Sequence, residues 1–156
     1  YPGTMSLRIA TLLDVTEDLI RSIYSQGFRR VLVMNGHGGN DPVRGRVYEI
    51  ANELDDLQIK WYAWWQSHSV EAICLKHELK PAHANWSEAF PFTRIAELPK
   101  GEKPPAAIPG LLGARAARQI YGDGSFGGKY QVADDIMQEI FDAVVADVLH
   151  LLAFDL

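Results

Sequence analysis

Apolar residues recur along this chain with two distinct periods, and the alternation between them predicts the elements. Leu12, Val15, Leu19, Ile20 and Ile23 keep a mostly helical spacing. They predict a helix over 12–27, with Asp14 or Thr16 as its cap and Gly27 as its stop. The short run 31–34, entered through Arg29-Arg30, reads as a buried strand. A glycine-rich turn follows. Val43, Val47, Ile50, Ala51 and Leu54 then form one apolar helix face, with Asn40 or Asp41 as cap, Pro42 in the first turn and Asp55-Asp56 at the end. Residues 59–65 are aromatic and β-prone and predict a second strand. A strand, a helix and a strand in that order imply a right-handed crossover with parallel strands.

Farther on, 67–79 reads as helical and is stopped by Pro81. Residues 98–109 are proline-rich and polar and read as a surface loop, and 111–121 as a short helix. Four glycines in the seven residues 122–128 predict a loop that approaches a ligand or another subunit. Ile136, Ile140, Val144 and Val148, spaced by four, mark a long amphipathic helix over 132–152. No internal repeat interrupts the pattern. The expected fold class is α/β, a layered and mostly parallel sheet flanked by helices, formed as one domain over residues 1–156.

Composition narrows the function. A formal net charge of -5 with no Lys/Arg block argues against a nucleic-acid partner. The longest apolar runs fall far short of a membrane span, and no signal-peptide pattern opens the chain. The single cysteine, Cys74, excludes an intrachain disulfide and a multi-thiolate metal site. Flanked by Val70, Ile73 and Leu75, it reads as core filling, and a reducing cytoplasmic setting is expected.

Two clusters carry candidate chemistry. The first, Asn35-Gly36-His37-Gly38-Gly39-Asn40, sits where the first strand gives way to a helix, the point at which open sheets collect ligands. His37 offers an imidazole. Asn35 and the amides of Gly36, Gly38 and Gly39 offer donors to a substrate oxygen. The plainer reading is a tight turn with an exposed His and a capping Asn. The spacing matches neither a P-loop nor a dinucleotide-binding turn. The second cluster is His83-Ala84-Asn85-Trp86-Ser87-Glu88. Glu88 can ligate a cation through oxygen, or it can merely complement a helix start. His83 can ligate or donate a proton to a leaving group. Ser87, without a nucleophile elbow around it, reads as a cap or support. His68, His77 and His150 read as surface or core-edge residues. Trp61, Trp64 and Trp65 read as core or interface, and Glu49, Glu53, Asp55 and Asp56 as a solvated helix end.

Together the clusters resemble the creatininase family. The first matches that family's Asn-Gly-His-Gly-Gly-Asn loop at every position. The second matches its His-Ala-Gly-x-x-Glu-Thr-Ser segment in part, with Asn85, Ala89 and Phe90 as departures, and Tyr1-Pro2-Gly3-Thr4 is similar to its Phe-Pro-Gly-Thr segment. The resemblance implies a layered fold lacking here its N-terminal strands. It also implies a binuclear centre of zinc, manganese or iron, and hydrolysis of a C–N amide bond in a small cyclic or linear molecule by a metal-activated water. By this resemblance His37 is a metal ligand, Glu88 a metal ligand or a carboxylate that holds the site, His83 the catalytic acid or base, and Asn35, Gly38 and Gly39 bind substrate; Trp86 is a further candidate substrate contact. Gly38-Gly39 stands where creatininase itself has a Tyr-Glu pair, which points away from creatinine as the substrate. The family's other ligands precede its Pro-Gly-Thr region. The expectation is therefore that this chain is the C-terminal part of a metal-dependent hydrolase, completed by an N-terminal segment or companion chain and assembled as a homo-oligomer. Two alternatives remain at this point. One is a non-catalytic binding or assembly subunit that keeps the fold without a complete metal site. The other is an α/β protein that binds an anion at 36–40.

Overall fold

The computed structural model describes residues 1, 3–107 and 110–155. They group into two compact units, one of 3–67 with 146–155 and the other of residue 1 with 68–107 and 110–145. Among the described residues no helix is long and apolar enough to cross a membrane.

In the first unit, α1 (Ile9–Ser25), β1 (Arg30–Asn35), α2 (Asp41–Glu53) and β2 (Gln58–Ala63) follow in the expected order. The strands pair in parallel, with Arg30 opposite Gln58 through to Asn35 opposite Ala63. Helix α1 starts before the expected caps. Arg8 precedes it in extended conformation, and the Thr16 hydroxyl donates back to the Leu12 carbonyl at 2.9 Å, a bond made inside a helix. Strand β2 ends at Ala63, and Trp64–Gln66 closes into a 3-10 turn. Ile20 of α1, Val43, Val47 and Ile50 of α2, and Leu57 form the buried core, with Val31, Ile59 and Trp61 packed against it. Each fully buried aliphatic side chain contributes roughly 1.5–3 kcal/mol. The alternate strand positions meet the end of the last helix, α5 (Asp134–Ala153). Lys60 Nζ lies 4.8 Å from the Phe154 ring centre, and the Tyr62 hydroxyl donates to Asp147 at 3.0 Å. Burial pushes the Tyr62 phenol up to about 12. Helices on both faces of a parallel pair give the layered α/β arrangement.

The acidic end of α2 is paired rather than merely solvated. Arg46 binds Glu17, Glu49 and Glu53, and Arg29 and the Tyr24 hydroxyl both donate to Asp56. These donors hold the Glu17 and Asp56 carboxyls below their ordinary values.

The second unit contains α3 (His68–Lys76), β3 (Glu102–Lys103), α4 (Ala114–Tyr121), β4 (Gly128–Lys129) and most of α5. Helix α3 stops short of residue 79 because Glu78 adopts a left-handed φ of 53°. Cys74 is buried, as its apolar neighbours predict. The segment expected to be only a loop, 98–109, carries β3, which pairs antiparallel with β4 (its residues 108 and 109 lie outside the described residues). Two-residue strands are too short to show alternation in a sequence.

The Lys103 ammonium organises the glycine-dense loop. It donates to the carbonyls of Tyr121 and Ser125 and to the Asp123 carboxylate, which satisfies all of its hydrogens. The Tyr130 hydroxyl donates to the other Asp123 oxygen at 2.6 Å. Together Lys103 and Tyr130 lower the Asp123 carboxyl to about 2.

Candidate active site

Asn35 ends β1, and its side chain shapes the turn that follows. Its Oδ1 accepts from the His37 amide and from Asn40 Nδ2, both at 3.1 Å, while its Nδ2 reaches Asp41 at 3.4 Å. Asn35 is 4% exposed. The expected donor to substrate is therefore a buried scaffold for the loop. Asn40 spends its side chain on Asn35, so it precedes α2 without a capping bond of its own.

His37 lies in extended backbone and is followed by a 3-10 turn, Gly38–Asn40. Its Nδ1 accepts the Gly39 amide at 2.9 Å. That amide is thus engaged within the loop, contrary to the expected role as a substrate donor. A Cβ at Gly39 would lie 2.8 Å from His37 Nδ1, so glycine is what permits the ring to fold onto the backbone. Gly38 has open space where a Cβ would stand.

The second cluster lies wholly within the other unit. Ala84 takes a left-handed φ of 50°, which reverses the chain after His83. Asn85 then caps the 3-10 turn Trp86–Glu88 by accepting from the Ser87 amide at 3.0 Å. Its Nδ2 donates to the carbonyls of Lys80 and Gly127. Ser87 donates to Ala82 at 3.2 Å and is a support, as its sequence context predicts. Trp86 is 2% exposed, with its indole N–H on the Lys80 carbonyl. An aromatic ring expected to face substrate instead fills the core beneath the site.

These contacts present His83 and Glu88 together. His83 Nδ1 and Glu88 Oε1 are 3.7 Å apart, within ion-pair reach and beyond a hydrogen bond. Glu88 Oε1 is held by the Ala84 amide at 2.7 Å. Both side chains stay substantially exposed. Beside them opens a cavity of about 380 Å³ whose wall includes Glu88, Arg94, Asp123, Ser125 and Tyr130. Arg94 is drawn toward Asp134, with Nη2 2.7 Å from its carboxylate, and its Nε donates to the Ala89 carbonyl.

The family model for creatininase, described as creatinine amidohydrolase, matches residues 1–152. This chain belongs to the creatininase family. A curated creatinine amidohydrolase from Pseudomonas putida is 48% identical over 40 residues, which is 26% of this chain and 15% of that protein. Two solved structures share the creatininase fold with it at TM-score 0.74 and 19% identity. One is a tryptophan-to-phenylalanine mutant creatininase and the other is titled creatininase Mn. Each match covers 95% of this chain, and the chain spans 64% and 65% of their lengths. The 19% identity to these creatininases shows a shared architecture.

Of the candidates named from the sequence, His83 and Glu88 lie side by side, and His37 stands in the turn after β1. Lys103, Asp123, Phe126 and Tyr130 were missed. The one signal that could have found them is the glycine density of 122–128. Among the described residues, no group of three or more His, Cys, Asp or Glu side chains converges to hold a metal ion.

Proposed function

We propose that this creatininase-family chain is part of a metal-dependent amidohydrolase that cleaves a C–N amide bond of a small cyclic or linear molecule. The observation that carries this reading is the His83–Glu88 pair, brought to 3.7 Å by a buried cap, with Glu88 in the wall of a cavity. Amide cleavage needs a proton delivered to the departing nitrogen, because an amide anion is a poor leaving group. His83 is the proton donor in this reading, and Glu88 steadies the imidazole electrostatically.

The described residues do not by themselves fit a complete metal centre, since a catalytic metal takes at least three protein ligands. His37 and Glu88 are each proposed as a metal ligand, for zinc, manganese or iron, in a centre that is binuclear when complete. The others come from a segment or companion chain. With Nδ1 accepting the Gly39 amide, ligation by His37 through Nε2 would move the proton to Nδ1 and break that bond. The buried thiol of Cys74 supports a reducing cytoplasmic setting. Exposed Leu149 and Leu152 on α5 support a homo-oligomer.

The test is hydrolysis of a panel of small lactams, cyclic ureides and linear amides by the full natural protein, supplied with manganese or zinc. Activity should appear on at least one and be lost with chelator. His83→Ala should lower kcat by about 100-fold or more, with metal content retained. Glu88→Gln and His37→Ala should each reduce bound metal. Failure of the metal-supplied protein to hydrolyse any amide of the panel would remove the reading and favour a non-catalytic binding role.

A further inference from the structure

The loop over 122–128 does more than line the cavity. Phe126 donates its backbone N–H to the His83 carbonyl at 3.0 Å, and its ring lies 4.8 Å from the His83 ring at a 52° tilt. Tyr121, 8% exposed, stacks on Phe126 at 4.2 Å and 17°. The imidazole thus rests on two stacked rings, of which Tyr121 is buried and Phe126 is 41% exposed. The column is held in turn: the Lys103 ammonium gathers the backbone of 121–125, the Ser125 hydroxyl accepts the Gly127 amide at 3.2 Å, and Asn85 Nδ2 donates to the Gly127 carbonyl. Gly127 has a φ of 117°, and a Cβ there would stand 2.7 Å from Pro105 Cα. The loop therefore passes where only glycine fits, and that passage delivers Phe126 to His83.

We propose that Phe126, backed by Tyr121, is a positioning residue that fixes the His83 imidazole for proton delivery. This rests on the reading of His83 as the proton donor. A half-exposed imidazole has several staggered rotamers. The Phe126 ring and the Glu88 carboxylate, both against the imidazole, select one of them. Phe126 acts through His83, so its loss should slow the chemical step and leave substrate binding largely intact.

The experiment compares the full natural protein with Phe126→Leu, Phe126→Tyr and His83→Ala, using the amide of the panel that wild type hydrolyses fastest. Phe126→Leu is expected to lower kcat by about tenfold or more with KM within about threefold, because small misplacements of a reacting group are costly. Phe126→Tyr keeps the ring and should restore kcat to within about twofold of wild type, by the same reasoning. The His83 Cε1–H resonance should move in Phe126→Leu, as the ring current is removed, and stay in Phe126→Tyr; circular dichroism confirms that both variants fold. Unchanged kcat in Phe126→Leu, where His83→Ala abolishes activity, overturns the positioning role alone. An unmoved His83 resonance also overturns it. Full activity in His83→Ala overturns the proton-donor reading, and the role of Phe126 with it.

Discussion

At the scale of single residues, both candidate clusters are built from side chains that bind the backbone of their own turn. His37 accepts the Gly39 amide, Asn35 accepts the His37 amide, and Glu88 accepts the Ala84 amide. Such bonds cost little entropy because the partners are neighbours in sequence, and they leave a tight turn with one defined ring orientation. The His37 turn is the sharpest case. Gly39→Ala places a methyl 2.8 Å from Nδ1, so the ring must swing away and surrender its bond to the amide. His37 is exposed, so the fold should survive with a melting temperature within about 4 °C of wild type. Long-range proton–nitrogen spectra should show His37 Nδ1 losing its acceptor signature. Identical His37 signals in wild type and variant would show that the amide bond is not what sets the ring.

At the scale of elements, the two short strands and the glycine loop act as one device centred on the Lys103 ammonium. The pairing with Asp123 carries a pH dependence whose sign follows from the depressed carboxyl. Asp123 titrates at about 2 in the folded chain, well below the ordinary value of about 3.9 expected when unfolded. The folded state binds the proton less readily, so the pair contributes stability above about pH 4 and loses it as the pH falls toward 2. Thermal melts of wild type and Asp123→Asn should therefore differ by a constant amount from neutral pH down to about 4.5, and the gap should close below that. A gap that widens with acid would contradict this assignment. The same elements explain why 98–109 misled as a featureless loop: β3 exists because Gly128 and Lys129 come alongside, not because Glu102 and Lys103 favour a strand.

At the scale of the whole molecule, the metal dependence proposed for this creatininase-family chain can be tested on the chain's own metal affinity. The described residues bring no three candidate ligands to one point. The 156-residue chain alone should accordingly bind manganese or zinc weakly. Calorimetric titration should give no stoichiometric site tighter than micromolar. A tight one-to-one or two-to-one isotherm would mean that the described ligands suffice, and it would retire the proposal that others are supplied from elsewhere.

The amino-acid order alone determined the parallel crossover and the helix faces, and it singled out His37, His83 and Glu88 as candidates. Each of these depends on short-range periodicity or on a local turn. Val43, Val47 and Ile50 recur at helical spacing and are buried; Asn35-Gly36-His37 breaks the strand and does turn. Tertiary structure decided which polar groups remain available for chemistry. Asn35, Trp86 and the Gly39 amide look like substrate contacts in the sequence and are consumed by internal bonds in the fold. Lys103, Asp123 and Phe126 look like loop residues, yet Lys103 binds Asp123 and Phe126 packs on the His83 ring. A hydrogen bond or ring contact between residues about twenty or more positions apart leaves no periodic trace along the chain, so only folding can reveal it.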